Sequence, residues 1–298
     1  MTSTTPLGPA PPVALLDGGG IECRSVSSGY LRTTVLKEIS FSIHEPGVYV
    51  VLGPNGAGKT TLFRTLSGIL RPSEGEVRIG GVPVDAPGAR EQLHFLTHMD
   101  GIPAGLRVRE ALEFYARVEG ASPSDVDRVL DQLQIRELSQ KFHSQLSAGQ
   151  RKRVSVGRVF LRPRALYLLD EPTANLDPKL AKEIRSLILE LSREKIVLYS
   201  SHNLFEAREI GRWVLAIKEG RLALFDRIEN LRGARFVVGV RLLDPVDALP
   251  GFSREGDYFL RELAGPEAVP PLLRELDARG LRVRELREMN NPLEDLFT

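Results

Sequence analysis

Residues Gly53-Pro-Asn-Gly-Ala-Gly-Lys-Thr60 fit the pattern G-x-x-x-x-G-K-[ST]. The apolar run Val48-Tyr-Val-Val-Leu52 precedes them, and Leu62, Leu66 and Ile69 follow at helical spacing, so the motif sits in the strand, loop, helix context it requires. Glycines let such a backbone turn with positive φ and bring its N–H groups against phosphate oxygens, while the helix N-terminus adds partial positive charge. Lys59 is placed to reach the β- and γ-phosphates of a nucleoside triphosphate, and the Thr60 hydroxyl to hold Mg²⁺.

Working outward, Ile21 to about Ile43 reads as antiparallel strands with a turn near Ser28-Gly29, which sets a β-rich edge before the loop. Glu76–Ile79 and Leu93–Leu96 are further short strands. Val108, Leu112, Tyr115 and Val118 fall at helical spacing, as do Val126, Val129, Leu130 and Leu133 with Ser124 as N-cap, so a helical subdomain is expected over about 100–162. Leu166–Leu169 and Ile196–Tyr199 resemble buried parallel strands separated by a helix with Leu180, Ile184, Leu187 and Leu191 on one face. Strand and helix alternate, which makes the core α/β. After Trp213–Ile217 a hairpin turns at Glu219-Gly220, and Phe225–Leu231 reads as helical. Strand candidates at Phe236–Leu242, Tyr258–Leu260 and Leu281–Leu286, with a helix at Val269–Arg279, predict a small C-terminal α+β accessory domain. The expected organisation is a disordered tail over 1–20, a nucleotide-binding domain over 21–232 and the accessory domain over 233–298.

Across 298 residues, Lys+Arg number 40 against Asp+Glu 39, a formal net charge of +1. The strong basic field of a nucleic-acid binder is absent, and no nucleic acid is expected as partner. Cys23 is the single cysteine, which excludes an internal disulfide, and its alternating surroundings predict a small core residue. Apolar runs are strand-length, short of the roughly 20 residues that span a bilayer.

Arg164-Ala-Leu-Tyr-Leu-Leu-Asp170-Glu171 puts two carboxylates at the end of an apolar strand. Beside a phosphate loop, Asp170 suits the Mg²⁺ side and Glu171 suits the general base that polarises water. Ser147 to Gln150 fits the S-x-x-[EQ] capping box, yet a capped helix N-terminus beside a glycine is also an anion site, and local sequence leaves both open.

Taken in order, the loop Gly53–Thr60, Leu146-Ser-Ala-Gly-Gln150, Leu168-Leu-Asp-Glu-Pro172, Ala174-Asn-Leu-Asp177 and Ser200-Ser-His202 resemble the ATP-binding subunit of an ABC transporter from about Ile21 to Arg232. The resemblance implies a phosphate-loop NTPase core with an antiparallel β edge and a helical subdomain. It implies ATP and Mg²⁺ as cofactors and a head-to-tail dimer with a second ATP-binding subunit, expected to be a second copy of this chain. It also implies an integral membrane permease as partner, with this chain cytoplasmic and peripherally associated with the cytoplasmic face of the cell membrane. Gly53, Pro54, Asn55, Gly56, Ala57, Gly58, Lys59, Thr60 and Thr61 would cradle the nucleotide. Tyr30 stands where the family stacks an aromatic ring on adenine. Ser147, Gly149 and Gln150 would meet the γ-phosphate bound to the other subunit, with Ala148 replacing a more usual glycine. Asp177, otherwise an N-cap before Pro178, gains a role across the dimer, and His202 matches the switch histidine on the γ-phosphate.

His98 occupies the position of a usual glutamine that touches Mg²⁺ or the attacking water. Neutral imidazole offers one acceptor and one donor, whereas its protonated form would be a cation beside the metal. Thr97–Ile102 resembles haem-exporter ATPases, while Ser200–Leu204 and Asn291-Pro-Leu-Glu-Asp-Leu-Phe297 resemble the ATPases of ABC-2 type drug, antibiotic and sodium exporters. The competing expectation, a soluble ABC ATPase acting on nucleic acid or ribosomes, calls for fused cassettes or a long coiled-coil insertion, and the sequence carries neither.

Overall fold

The computed structural model describes residues 19–31, 33–97, 102–103, 105–174, 176–231, 236–244, 246–265 and 268–289. His98, the tail up to residue 18 and Asn291–Phe297 lie outside these described residues. The chain divides into two compact units between Phe225 and Asp226.

In the first unit, β1 (Ile21–Tyr30) and β2 (Thr33–Ile43) form an antiparallel hairpin, and β4 (Glu74–Ile79) and β5 (Val82–Pro83) extend it in the order β2-β1-β4-β5. The turn is not at Ser28-Gly29 as expected. β1 runs on to Tyr30, Leu31 takes φ 52°, and Gly29 marks a shift of register instead. A Cβ on Gly29 would lie 1.9 Å from the Thr33 carbonyl oxygen, so the glycine answers a close strand approach.

The second sheet has the order β10-β9-β3-β8-β7-β6. β3 (Gly47–Leu52), β7 (Leu166–Asp170) and β8 (Ile196–Ser201) are buried along their whole length, which is why they read as near-continuous apolar runs. β6 (Leu93–Leu96) and β9 (Trp213–Lys218) pair parallel to β7 and β3, and β10 (Arg221–Arg227) follows the Glu219-Gly220 turn. The expected helix from Phe225 is therefore corrected: strand continues to Arg227, and only Ile228–Leu231 forms a 3₁₀ turn. Helix α1 (Lys59–Leu66) contributes Leu62, Phe63 and Leu66 to the core shared by both sheets, with Val26, Ile39, Val51, Leu168 and Leu198. Cys23 is buried in that core, where desolvation pushes its thiol pKa up and keeps it neutral. The short α2 (Pro87–Arg90) precedes β6.

The helical subdomain comprises α3 (Val108–Glu119), α4 (Pro123–Gln132) and α5 (Ala148–Val159), with Leu112, Val126, Val129, Leu130 and Val154 buried. The N-cap of α4 is Ser122, not Ser124. Asp125 N–H donates to Ser122 Oγ at 3.3 Å, and the Ser122 N–H donates to the Asp125 carboxylate at 2.9 Å. Pro123 occupies the first helical position, where its missing N–H has no partner to lose. α6 (Pro178–Leu191) and α7 (Leu204–Ile210) flank β8 in sequence.

The second unit pairs β11 (Phe236–Leu242), β12 (Ser253–Glu255), β13 (Tyr258–Leu263) and β14 (Val283–Glu288) antiparallel in the order β12-β13-β11-β14. α8 (Val269–Ala278) adds Leu272 and Leu276 to a separate core with Val238, Val240, Leu249 and Phe259. Among the described residues no helix is long and apolar enough to cross a membrane.

Candidate functional site

The site is built where β3, β7 and β8 end beside one another. β3 passes through Gly53–Gly58 into α1, and Gly58 takes φ 111° at the helix start. A Cβ there would be strained by that φ and would meet Leu36 Cδ2 at 2.8 Å, so only glycine suits this turn. Lys59 is buried, and its ammonium donates to the carbonyls of Gly53 at 2.6 Å and Pro54 at 3.2 Å. Burial pulls its pKa below the ordinary lysine value, opposed by the Glu171 and Asp170 carboxylates.

Asp170, the last residue of β7, is 2% exposed. Its two oxygens accept from Ser200 Oγ at 2.6 Å and from Thr60 Oγ1 at 2.9 Å. A hydroxyl and a carboxylate converging at this distance form the hard-oxygen pair that suits Mg²⁺, a cation that keeps several waters and takes its remaining donors from phosphate. Among the described residues no cluster of three His, Cys, Asp or Glu could hold a metal by itself.

Glu171 follows with φ 48°, a left-handed conformation costing a non-glycine residue about 1 kcal/mol. Its N–H donates to Ser200 Oγ at 2.9 Å, and its Oε1 lies 3.1 Å from His202 Nδ1. His202 is exposed just beyond β8, so the Glu171–His202 pair faces outward from the strand ends. The structure thus pairs Thr60 with Asp170 and Glu171 with His202, links the two pairs through Ser200, and sets Lys59 in the electrostatic reach of Asp170 and Glu171.

Ser200 is the member that sequence reading left without a role. Its hydroxyl touches both acidic residues, and the available signal was a polar Ser200-Ser201 pair closing the otherwise apolar strand Ile196–Tyr199.

The other expected residues stand in separate settings. The Tyr30 hydroxyl accepts from Arg64 Nη1 at 3.0 Å, with the guanidinium 5.8 Å from the ring centroid, which ties it to α1. Ser147 caps α5: Gln150 N–H donates to Ser147 Oγ at 3.2 Å and Ser147 N–H to Gln150 Oε1 at 3.1 Å. Ser147 is exposed, and a Cβ on Gly149 would meet Leu176 Cδ2 at 3.7 Å, so this cap stands beside the stretch leading to Asp177. Asp177 caps α6 by accepting from Leu180 N–H at 3.0 Å. A groove of about 410 Å³ lined by residues such as Arg128, Phe160, Leu187 and Lys195 includes none of these groups.

Comparison with known proteins shows the family to which the chain is similar. Residues 36–174 match the family model described as ABC transporter. The sulfate/thiosulfate import ATP-binding protein CysA of Salmonella typhi is 30% identical over 267 residues, covering 84% of this chain and 72% of that protein. The uncharacterized ABC transporter ATP-binding protein YxlF of Bacillus subtilis is 25% identical over 292 residues, covering 93% of this chain and 98% of that protein. The dimeric post-hydrolysis structure of the ATP-binding cassette MJ0796 with ADP and Pi superposes with a TM-score of 0.65 at 23% identity, over 70% of this chain and 98% of that one, a likeness of fold.

Proposed function

The chain belongs to the ABC transporter family as an ATP-binding, ATP-hydrolysing subunit, and from that premise we propose how its residues divide the work. The loop Gly53–Thr61 receives the phosphates, and Lys59 exchanges its two loop carbonyls for phosphate oxygens. Thr60 and Asp170 would hold Mg²⁺, which when bound neutralises charge on those oxygens. Glu171 takes the proton of the attacking water, and His202, seated on Glu171, donates to the γ-phosphate. Tyr30 stacks on adenine. Ser147, Gly149 and Gln150 reach the γ-phosphate held by a second copy of the chain, and Asp177 reports across that interface. The observation that carries this reading is the contact of Thr60 with Asp170, reinforced by Ser200 touching Asp170 and Glu171 together.

A separate integral membrane subunit converts closure and reopening of the dimer into transport, and places this chain at the cytoplasmic face of the membrane. Export is the proposed direction. Its support is the likeness of Ser200–Leu204 and Asn291–Phe297 to ABC-2 exporter ATPases, set against a relative named for sulfate import. ATP-driven accumulation of cargo inside inverted vesicles carrying both subunits tests it, and accumulation in right-side-out vesicles alone overturns it.

Glu171→Gln tests the site. The variant is expected to bind ATP, to lose steady-state hydrolysis by at least about 10²-fold and to accumulate as an ATP-bound dimer on gel filtration. Normal turnover would remove Glu171 from the role of base.

A further inference from the structure

Behind the Glu171–His202 pair lies a polar network centred on Glu206 of α7, a residue the reading of the site leaves unused. Its carboxylate accepts from Ser201 Oγ at 2.8 Å, Thr173 Oγ1 at 2.9 Å and Tyr199 OH at 3.2 Å, and the Arg185 guanidinium of α6 lies 3.5 Å away. Thr173 and Tyr199 hydroxyls also touch each other. All three hydroxyl residues are buried, and Glu206 is partly buried. Burial and the Glu206 charge push the Tyr199 phenol pKa up, so it stays a donor. Arg185 is held from its other side by Glu209 at 3.0 Å.

The sequence positions of these partners give the network its meaning. Thr173 comes two residues after Glu171, in the turn that leads toward Asp177. Ser201 immediately precedes His202. One carboxylate therefore grips both segments that carry the outward-facing pair, while Ser200, on the opposite side of β8, fixes the same turn through Asp170 and the Glu171 N–H. An ionised carboxylate can accept from several donors at once, whereas an amide at this position would offer one oxygen and turn two N–H donors toward hydroxyls and Arg185.

We propose that Glu206 is a positioning residue for ATP hydrolysis: it locks the turn after Glu171 to the strand end before His202 and so sets the alignment of those two side chains. This rests on the roles assigned above to Glu171 and His202. Misplacement of a reacting group by about 1 Å can cost about 10²-fold in rate, so the expected effect is on kcat rather than on nucleotide affinity.

The test is a mutant cycle on the full-length chain, reading kcat and KM for ATP in Glu206→Gln, His202→Ala and the double variant. Glu206→Gln is expected to lower kcat about tenfold or more while KM stays near the native value, because the Lys59 and Thr60 contacts are untouched. In the double variant, His202→Ala should cost far less than it does alone, since its partner is already misaligned. Should Glu206→Gln fail to fold, Ser201→Ala and Thr173→Val, each removing one hydroxyl, carry the same cycle. Native kcat in Glu206→Gln, or losses that multiply in full with the measured loss in His202→Ala, would overturn the proposal while leaving the role of His202 intact. Native turnover in His202→Ala itself would bring down the reading of the site and this inference with it.

Discussion

Lys59, proposed to bind phosphate, is a buried ammonium held ready by its loop. A buried ammonium is costly unless paired, and here its hydrogen bonds go to two loop carbonyls at 2.6 and 3.2 Å while Asp170 and Glu171 supply compensating charge. Phosphate oxygens offer that amine a stronger, charge-assisted partner. Losing one such bond is worth about 1.5–3 kcal/mol, so Lys59→Ala should weaken ATP binding on the order of 10–100-fold. A titration with a fluorescent ATP analogue measures it, and an unchanged curve would refute the phosphate role. At this scale the loop was legible because glycine, lysine and threonine at fixed spacing encode a backbone path as well as a side chain. Ser200 was not, because a serine ending a strand looks the same whether its hydroxyl meets water or two carboxylates.

At the level of elements, apolar periodicity placed β3, β7 and β8 and the helical subdomain, since burial on both faces or on one stripe leaves a strong pattern. Boundaries were harder, for reasons specific to each. Gly29 reads as a turn, but the tightness that demands a glycine comes from the neighbouring strand at Thr33. Ser124 and Ser122 are both able to cap, and Pro123 with Asp125 three residues after Ser122 decides for the earlier one. That cap makes a pH-dependent prediction. Asp125 accepts from the Ser122 hydroxyl at 2.6 Å and its N–H at 2.9 Å and from Arg128 at 3.1 Å, which holds its pKa at about 2. The folded value lies below the unfolded one of about 3.9, so the stabilisation is complete above pH 4 and is lost as pH falls toward 2. Asp125→Asn should therefore destabilise the chain near pH 7 by only about 0.5–1 kcal/mol, given the exposure of the side chain. Its melting temperature should converge on the native one as pH drops below 4. A gap that persists unchanged at pH 3 would rule out the ionised cap.

At the scale of the whole molecule, the decisive feature is that a single chain holds two groups of proposed site residues in separate settings. The pairs Thr60–Asp170 and Glu171–His202 are linked through Ser200, whereas the exposed Ser147 is held in the cap of α5 with Gln150. Proposed roles for both groups at one γ-phosphate require that the second group come from another copy, and this requirement can be tested without a structure of the dimer. Lys59→Ala disables the loop of its own chain but leaves Ser147 intact. Ser147→Arg places a bulky cation at the cap but leaves the loop intact. Each variant alone should have lost about 10²-fold or more of the ATPase rate. A mixture creates dimers in which the sound loop of one chain faces the sound Ser147 of the other, and activity should reappear well above either parent. If Ser147 served the loop of its own chain, every chain in the mixture would carry one broken half, and mixing would restore nothing.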